Sequence, residues 1–222
     1  MRRLLAVAAA ALLLAGCTPS APTSERPDPV PIVESYLAAL ASGDSATAHG
    51  IDAVAFEDAP FLQGDGTGVL DTGALAAASE RIVVDGATLL SADDDSAAVE
   101  AAFSLDGVDY TPTLRFRWDD DGGSWVMIDS LANIVVIDTV TAQGVEGPVP
   151  YTIAGFSPTG AFDGFDAPAT YAYPGVYALS VQIDPALLAD PATPIELDLT
   201  VPPYYTAPQK GALVAPVEFL LR

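Results

Sequence analysis

"RIVVDGATLLSADDDSAAVEAAFSLDGVDYTPTLRFRWDDDGGSWVMIDS", residues 81–130, decides the fold. Apolar residues recur here with a period of two, which is the spacing of a strand with one buried face. Asp93-Asp94-Asp95, Asp106-Gly107 and Asp119-Asp120-Asp121-Gly122-Gly123 separate the runs. Asp and Gly tolerate the backbone angles of tight hairpin turns. The stretch therefore predicts four antiparallel strands, over 82–91, 97–105, 110–118 and 124–129. If the alternation holds, Phe103, Leu114, Phe116, Val126 and Ile128 face inward.

Upstream the period lengthens. Pro31 stands at a favourable helix start. Ile32, Val33, Tyr36, Leu37 and Leu40 then fall on one helical face. Gly43 ends this helix, and Asp44 caps a second one from Ser45 to about His49. Residues 50–79 are rich in Gly and Ala and read as loops with a weak helix at 73–79. Helices followed by an antiparallel meander make an α+β pattern.

"IVESYLAALASGDSATA", with a meander ending in "RFRWDDDGGSWVMIDS", resembles the nuclear-transport-factor and ketosteroid-isomerase superfamily. The versions in exported actinobacterial lipoproteins are the most similar. The resemblance spans about residues 30–130 and implies a cone-like fold: N-terminal helices on a curved antiparallel sheet, able to enclose a ligand. It carries over no reactive residue. Asp85, Asp109 and Tyr110 are the candidates for a cavity lining, and they are equally natural at strand ends.

From Leu131 the pattern is all-β. "NIVVIDTVT" predicts a strand over 134–142, and short strands follow at intervals of about ten residues, punctuated by Pro and Gly. This is the signature of a β-sandwich-like domain over 131–222. Pro174-Gly175 suits the centre of a type II turn. "YAYPGVYALSV" and "PPYYTAP" resemble the β-domain that follows the cone in those lipoproteins, which implies architecture and little chemistry. Tyr171, Tyr173, Tyr177, Tyr204 and Tyr205 form an aromatic set that is either core packing or a surface for a sugar or protein partner.

The N-terminus predicts a location. Arg2 and Arg3 precede an apolar run from Leu4 to Ala15, too short for a bilayer span of about 20 residues. Basic end, short apolar stretch and small residues are the parts of a secretory signal over 1–16. Leu14-Ala15-Gly16-Cys17 looks like a bacterial lipobox, so Cys17, the single cysteine, is the expected site of diacylglyceryl attachment. Residues 17–30, rich in Pro, Ser and Thr, read as a tether to a first domain at 31–130.

The formal net charge is −22, from 30 acidic and 8 basic residues. Such a chain repels nucleic acid. The acidic runs lack the spacing of a calcium loop and read as solvated turns. His49 is the single histidine and reads as a surface or capping residue. There is no phosphate loop and no nucleophile elbow. No cofactor, no metal and no catalytic residue is expected. The expectation is a membrane-anchored, extracytoplasmic, non-catalytic binding or scaffolding lipoprotein with an envelope protein or glycan as partner. The alternative is a small-molecule carrier or cryptic enzyme that uses the cone cavity.

Overall fold

The structure is a computed structural model that describes residues 26–57, 62–63, 68–70, 72–141, 146–158, 160–162, 168–184, 186, 188, 190, 192, 195–204, 213–214 and 219–221. Two α-helices and mostly antiparallel sheets give the described residues an α+β architecture. Cys17, Leu14, Ala15, Gly16 and Tyr205 lie outside the described residues, as do tether residues 17–25. Among the described residues no helix is long and apolar enough to cross a membrane.

Helix α1 (Val30–Ser42) buries Val33, Tyr36, Leu37 and Leu40. It stops at Gly43, whose φ of +83° lets the Gly43 and Asp44 N–H groups reach the Leu40 and Ala39 carbonyls. A side chain at Gly43 would also come within 2.9 Å of the Ala76 backbone. The Asp44 side chain then accepts from the Thr47 N–H and starts α2 (Ser45–Asp52). This helix runs past the expected end at His49 and continues as a 3₁₀ turn, Ala53–Phe56. The expected weak helix at 73–79 is a series of turns closed by bonds such as Ala77 N–H to the Gly73 carbonyl.

Strands β1 (Leu62–Gln63) and β2 (Glu80–Arg81) precede the meander. The meander consists of β3 (Val83–Ala92), β4 (Ser96–Leu105), β5 (Val108–Tyr110), β6 (Thr113–Asp119) and β7 (Ser124–Met127). Its order is β3-β4-β6-β7, with β5 also on β4. Asp106 and Gly107, both with positive φ, close the two-residue turn between β4 and β5. The strand expected over 110–118 is broken at Thr111-Pro112, because proline has no N–H to give to a ladder. Its two pieces lie one after the other along one edge of β4.

One expected face is inverted. Phe103, Leu114 and Phe116 are buried as expected, but on β7 the buried pair is Trp125 and Met127, with Val126 and Ile128 on the other face. A shift of one residue exchanges the faces of a strand. The loop Asp120–Gly123 sets that register, with Trp118 opposite Trp125 and Asp119 opposite Ser124.

Beyond residue 130 come β8 (Asn133–Val136), β9 (Asp138–Thr141), β10 (Glu146–Pro148), β11 (Tyr151–Ile153), β12 (Gly160–Phe162), β13 (Pro168–Ala172), β14 (Gly175–Val181), β15 (Glu196–Val201), β16 (Leu213–Val214) and β17 (Phe219–Leu221). They form sheets β1-β12-β13-β8-β16, β10-β9-β17 and β11-β14-β15. The single strand expected over 134–142 is therefore two strands in different sheets. Pro174-Gly175 is not a type II turn with positive φ at glycine, since Gly175 lies in β14 and opposes both Val201 and Arg81. The chain bends there from one sheet into the next. A side chain at Gly175 would meet the Tyr177 ring at 3.1 Å.

Contacts cross the expected boundary at 130/131. β2 pairs with β14, on the edge that also carries β11, and the Ser79 N–H donates to the Val176 carbonyl. Buried apolar residues from both sides of residue 130 belong to one contiguous core.

Candidate functional site

The densest polar constellation lies in that shared core. Asp52, in the last turn of α2, has no exposure. Its Oδ2 accepts hydrogen bonds from the Tyr36 hydroxyl at 2.8 Å and the Ser130 hydroxyl at 2.6 Å. Its Oδ1 accepts from the Tyr173 hydroxyl at 3.0 Å and lies 3.5 Å from His49 Nδ1. The Leu131 N–H donates to the Tyr36 oxygen, and the Ala132 N–H donates to Ser130 Oγ.

Each position follows from local sequence. Tyr36 sits on the buried face of α1, so its hydroxyl needs a polar partner inside. Ser130 follows the meander directly. Tyr173 stands at the bend between β13 and β14, and its ring meets that of Tyr36 edge-on at 6.3 Å. The carboxylate thus ties α1, α2, residues 130–132 and the β13–β14 bend together. Burial, and next the Asp52 charge, push the Tyr36 hydroxyl pKa well above its ordinary value. That proton stays on the tyrosine, which is the state a donor to a carboxylate requires.

The geometry bears on chemistry. The Tyr36, Ser130 and Tyr173 hydroxyl protons are all directed at one carboxylate. Ser130 gives its proton to Asp52, not to His49. His49 is partly exposed, with its ring edge-on to Phe56 at 5.2 Å, and Phe56 meets Tyr171 at 4.9 Å. The histidine stands in the last turn of α2, partly exposed, and packs beside the cluster.

The other sequence candidates fall elsewhere. Asp85 and Asp109 are exposed on β3 and β5, and half-buried Tyr110 stacks on Phe103 at 5.7 Å. Phe103, Leu114, Phe116, Trp125 and Met127 belong to the core, and Tyr110 packs against it. Tyr173 and Tyr177 are 1% exposed and Tyr171 is 9% exposed, so these three rings are core residues and not a surface. The Tyr177 hydroxyl donates to the Tyr173 carbonyl, and Tyr204 is half-buried. An open hollow of about 490 Å³ lies on the outer side of β11, β14 and β15, edged by Thr152, Ser180, Glu196 and Asp198. Among the described residues no group of three His, Cys, Asp or Glu is disposed to hold a metal.

Sequence reasoning missed Asp52, Tyr36 and Ser130 as a set. Two signals pointed to it: a tyrosine on an otherwise apolar helical face, and an aspartate three residues after the single histidine. The chain's approach to α1 is also held. The Arg26 guanidinium lies 4.4 Å from the Trp118 ring centroid and 3.5 Å from an Asp95 oxygen, and the Trp125 indole N–H donates to the Pro27 carbonyl at 2.6 Å. The end of the expected tether is thus bound to the β6–β7 hairpin. No known protein family matches the chain, and no similarity to a curated protein is found.

Proposed function

We propose that the chain is a lipoprotein anchored through Cys17 to the outer side of the cell membrane. It serves there as a non-catalytic binding or scaffolding module of the envelope. The observation that carries the non-catalytic reading is the closure of the Asp52 cluster: both carboxylate oxygens are occupied and the carboxylate has no exposure. A base or nucleophile must reach substrate; a closed cluster of this kind makes a body rigid. The anchoring rests on Leu14-Ala15-Gly16-Cys17.

The architecture belongs to the same proposal. Residues 31–130 are read as a cone-like domain and residues 131–222 as a β-sandwich-like one, similar to those of exported actinobacterial lipoproteins. The Arg26 contacts fit a chain whose tether must not swing freely where it meets the body.

Metabolic labelling with an alkyne fatty acid tests the anchor. The wild-type chain should take up label and partition with membranes, and Cys17→Ala should do neither. Label on the Cys17→Ala chain, or an unlabelled wild-type chain in the soluble fraction, overturns the proposal.

A further inference from the structure

The outer strand of the meander departs from the usual distribution of apolar surface. The exposed large apolar residues among those described are Val83, Val84, Leu89 and Leu90 on β3, with Val108 on β5 at the other edge of β4. Val83, Leu90 and Val108 are 64%, 51% and 50% exposed. Soluble proteins scatter such residues singly, and a concentration of them marks an interaction site. β3 is also the end of its sheet: it pairs with β4 on one side and, among the described residues, with no strand on the other. One row of its backbone N–H and C=O groups is thus available to a further strand.

The surroundings select the occupant. Exposed Glu80, Asp85 and Asp94 stand along or beside the strip. The nearest cation, Arg81, is half-buried and donates to the Ala41 and Ala76 carbonyls. A second copy of the chain would bring the same acids against these.

We infer that the outer edge of β3 is a docking site for an extended protein segment in which apolar residues alternate with Lys or Arg. The segment adds as a strand, its apolar side chains lie beside Val84 and Leu89, which share the face of Phe103 and Val99, and its cations meet the acidic rim. This deepens the binding-module reading and rests on it for biological purpose, but it concerns a surface that exists whether or not Cys17 is acylated.

The test uses the full chain in mild detergent and three labelled peptides of about eight residues, the length of an ordinary strand. They are alternating Val-Lys, Ser-Lys and Val-Glu. Fluorescence anisotropy should show Val-Lys binding at least about ten-fold more tightly than either control. Val84→Ser with Leu89→Ser, which leaves the charge unchanged, should bring Val-Lys down to the Ser-Lys level. On the wild-type chain, Val-Lys should slow amide exchange within residues 83–92, a readout independent of how the variant folds. Equal binding of Val-Lys and Ser-Lys would reduce the effect to bulk charge and overturn the proposal. So would unchanged β3 exchange, or sedimentation showing a dimer that the double variant abolishes. Failure of acylation at Cys17 would remove the anchor and leave these results untouched.

Discussion

The Asp52 cluster and strand β3 break the ordinary rule of placement in opposite directions. Around Asp52, a carboxylate, three hydroxyls and an imidazole edge occupy the interior. On β3, four large aliphatic side chains face solvent. The buried exception is closed by partners from both halves of the chain, so its cost in desolvation is offset by hydrogen bonds that exist only in the folded state. The exposed exception has no such closure within the described residues. The first holds the body together; the second leaves surface for something else. If this contrast is right, substitutions at the two places should differ several-fold in their effect on stability.

The largest effect is expected at Asp52. Asp52→Ala leaves the Tyr36, Tyr173 and Ser130 hydroxyls facing a void without their acceptor. Breaking a buried charged network by removing one member costs about 3–5 kcal/mol. Urea unfolding should show a loss of that size with one cooperative transition. A loss below about 1 kcal/mol would mean that water replaces the carboxylate freely, and the clasp would then be a surface feature.

Alkali attacks the same cluster. Tyr36 has a folded pKa raised by burial and by Asp52, and burial raises those of Tyr151 and Tyr177. A raised folded pKa means that folding favours the protonated hydroxyl. The stabilisation is fully present below the unfolded value of about 10 and is lost as pH rises above it. Tyr36, Tyr151 and Tyr177 should therefore ionise only well above pH 10, together with loss of circular dichroism. Smooth ionisation of all tyrosines near pH 10 in a folded chain would contradict the burial.

Tyr173→Phe separates hydrogen bonding from packing. The ring and its edge-on contact with Tyr36 remain, and one of the donors to Asp52 is lost. The expected cost is about 1–3 kcal/mol, as for a hydrogen bond to a charged group. Combined with Ser130→Ala, the loss should be non-additive, because both donors serve one carboxylate. Strict additivity would show that the two hydroxyls act separately.

How much of this was legible in the sequence follows from the range of the interactions. The meander, the Asp106-Gly107 turn and the Gly43 helix stop are local, and local residues announce them. The face of β7 was not legible, because the four-residue loop Asp120–Gly123 leaves the count across it free and packing of Trp125 against Trp118 decides it. Pro174-Gly175 has turn chemistry, yet Gly175 is required by the approach of the Tyr177 ring. The Asp52 cluster joins residues 16, 78 and 121 positions apart. Spacing rules do not reach that far, although an unexplained tyrosine on an apolar helix face gave half of it away. The open edge of β3 was invisible, since a strand's place in a sheet depends on which strands fail to pair with it.

The smallest effect is expected on that edge. Leu89→Thr places a β-branched residue in the strand and removes an aliphatic side chain that is 42% exposed. Surface substitutions away from caps, cores and networks change stability by about 0.5 kcal/mol or less. Threonine also suits strands well, so thermal unfolding should be unchanged or slightly improved. The same change removes apolar area from the docking strip, so binding of the Val-Lys peptide should weaken while the fold does not. A destabilisation near that of Tyr173→Phe would mean that Leu89 is covered in the folded chain. The contrast between a closed interior and an open edge would then fail at its open end.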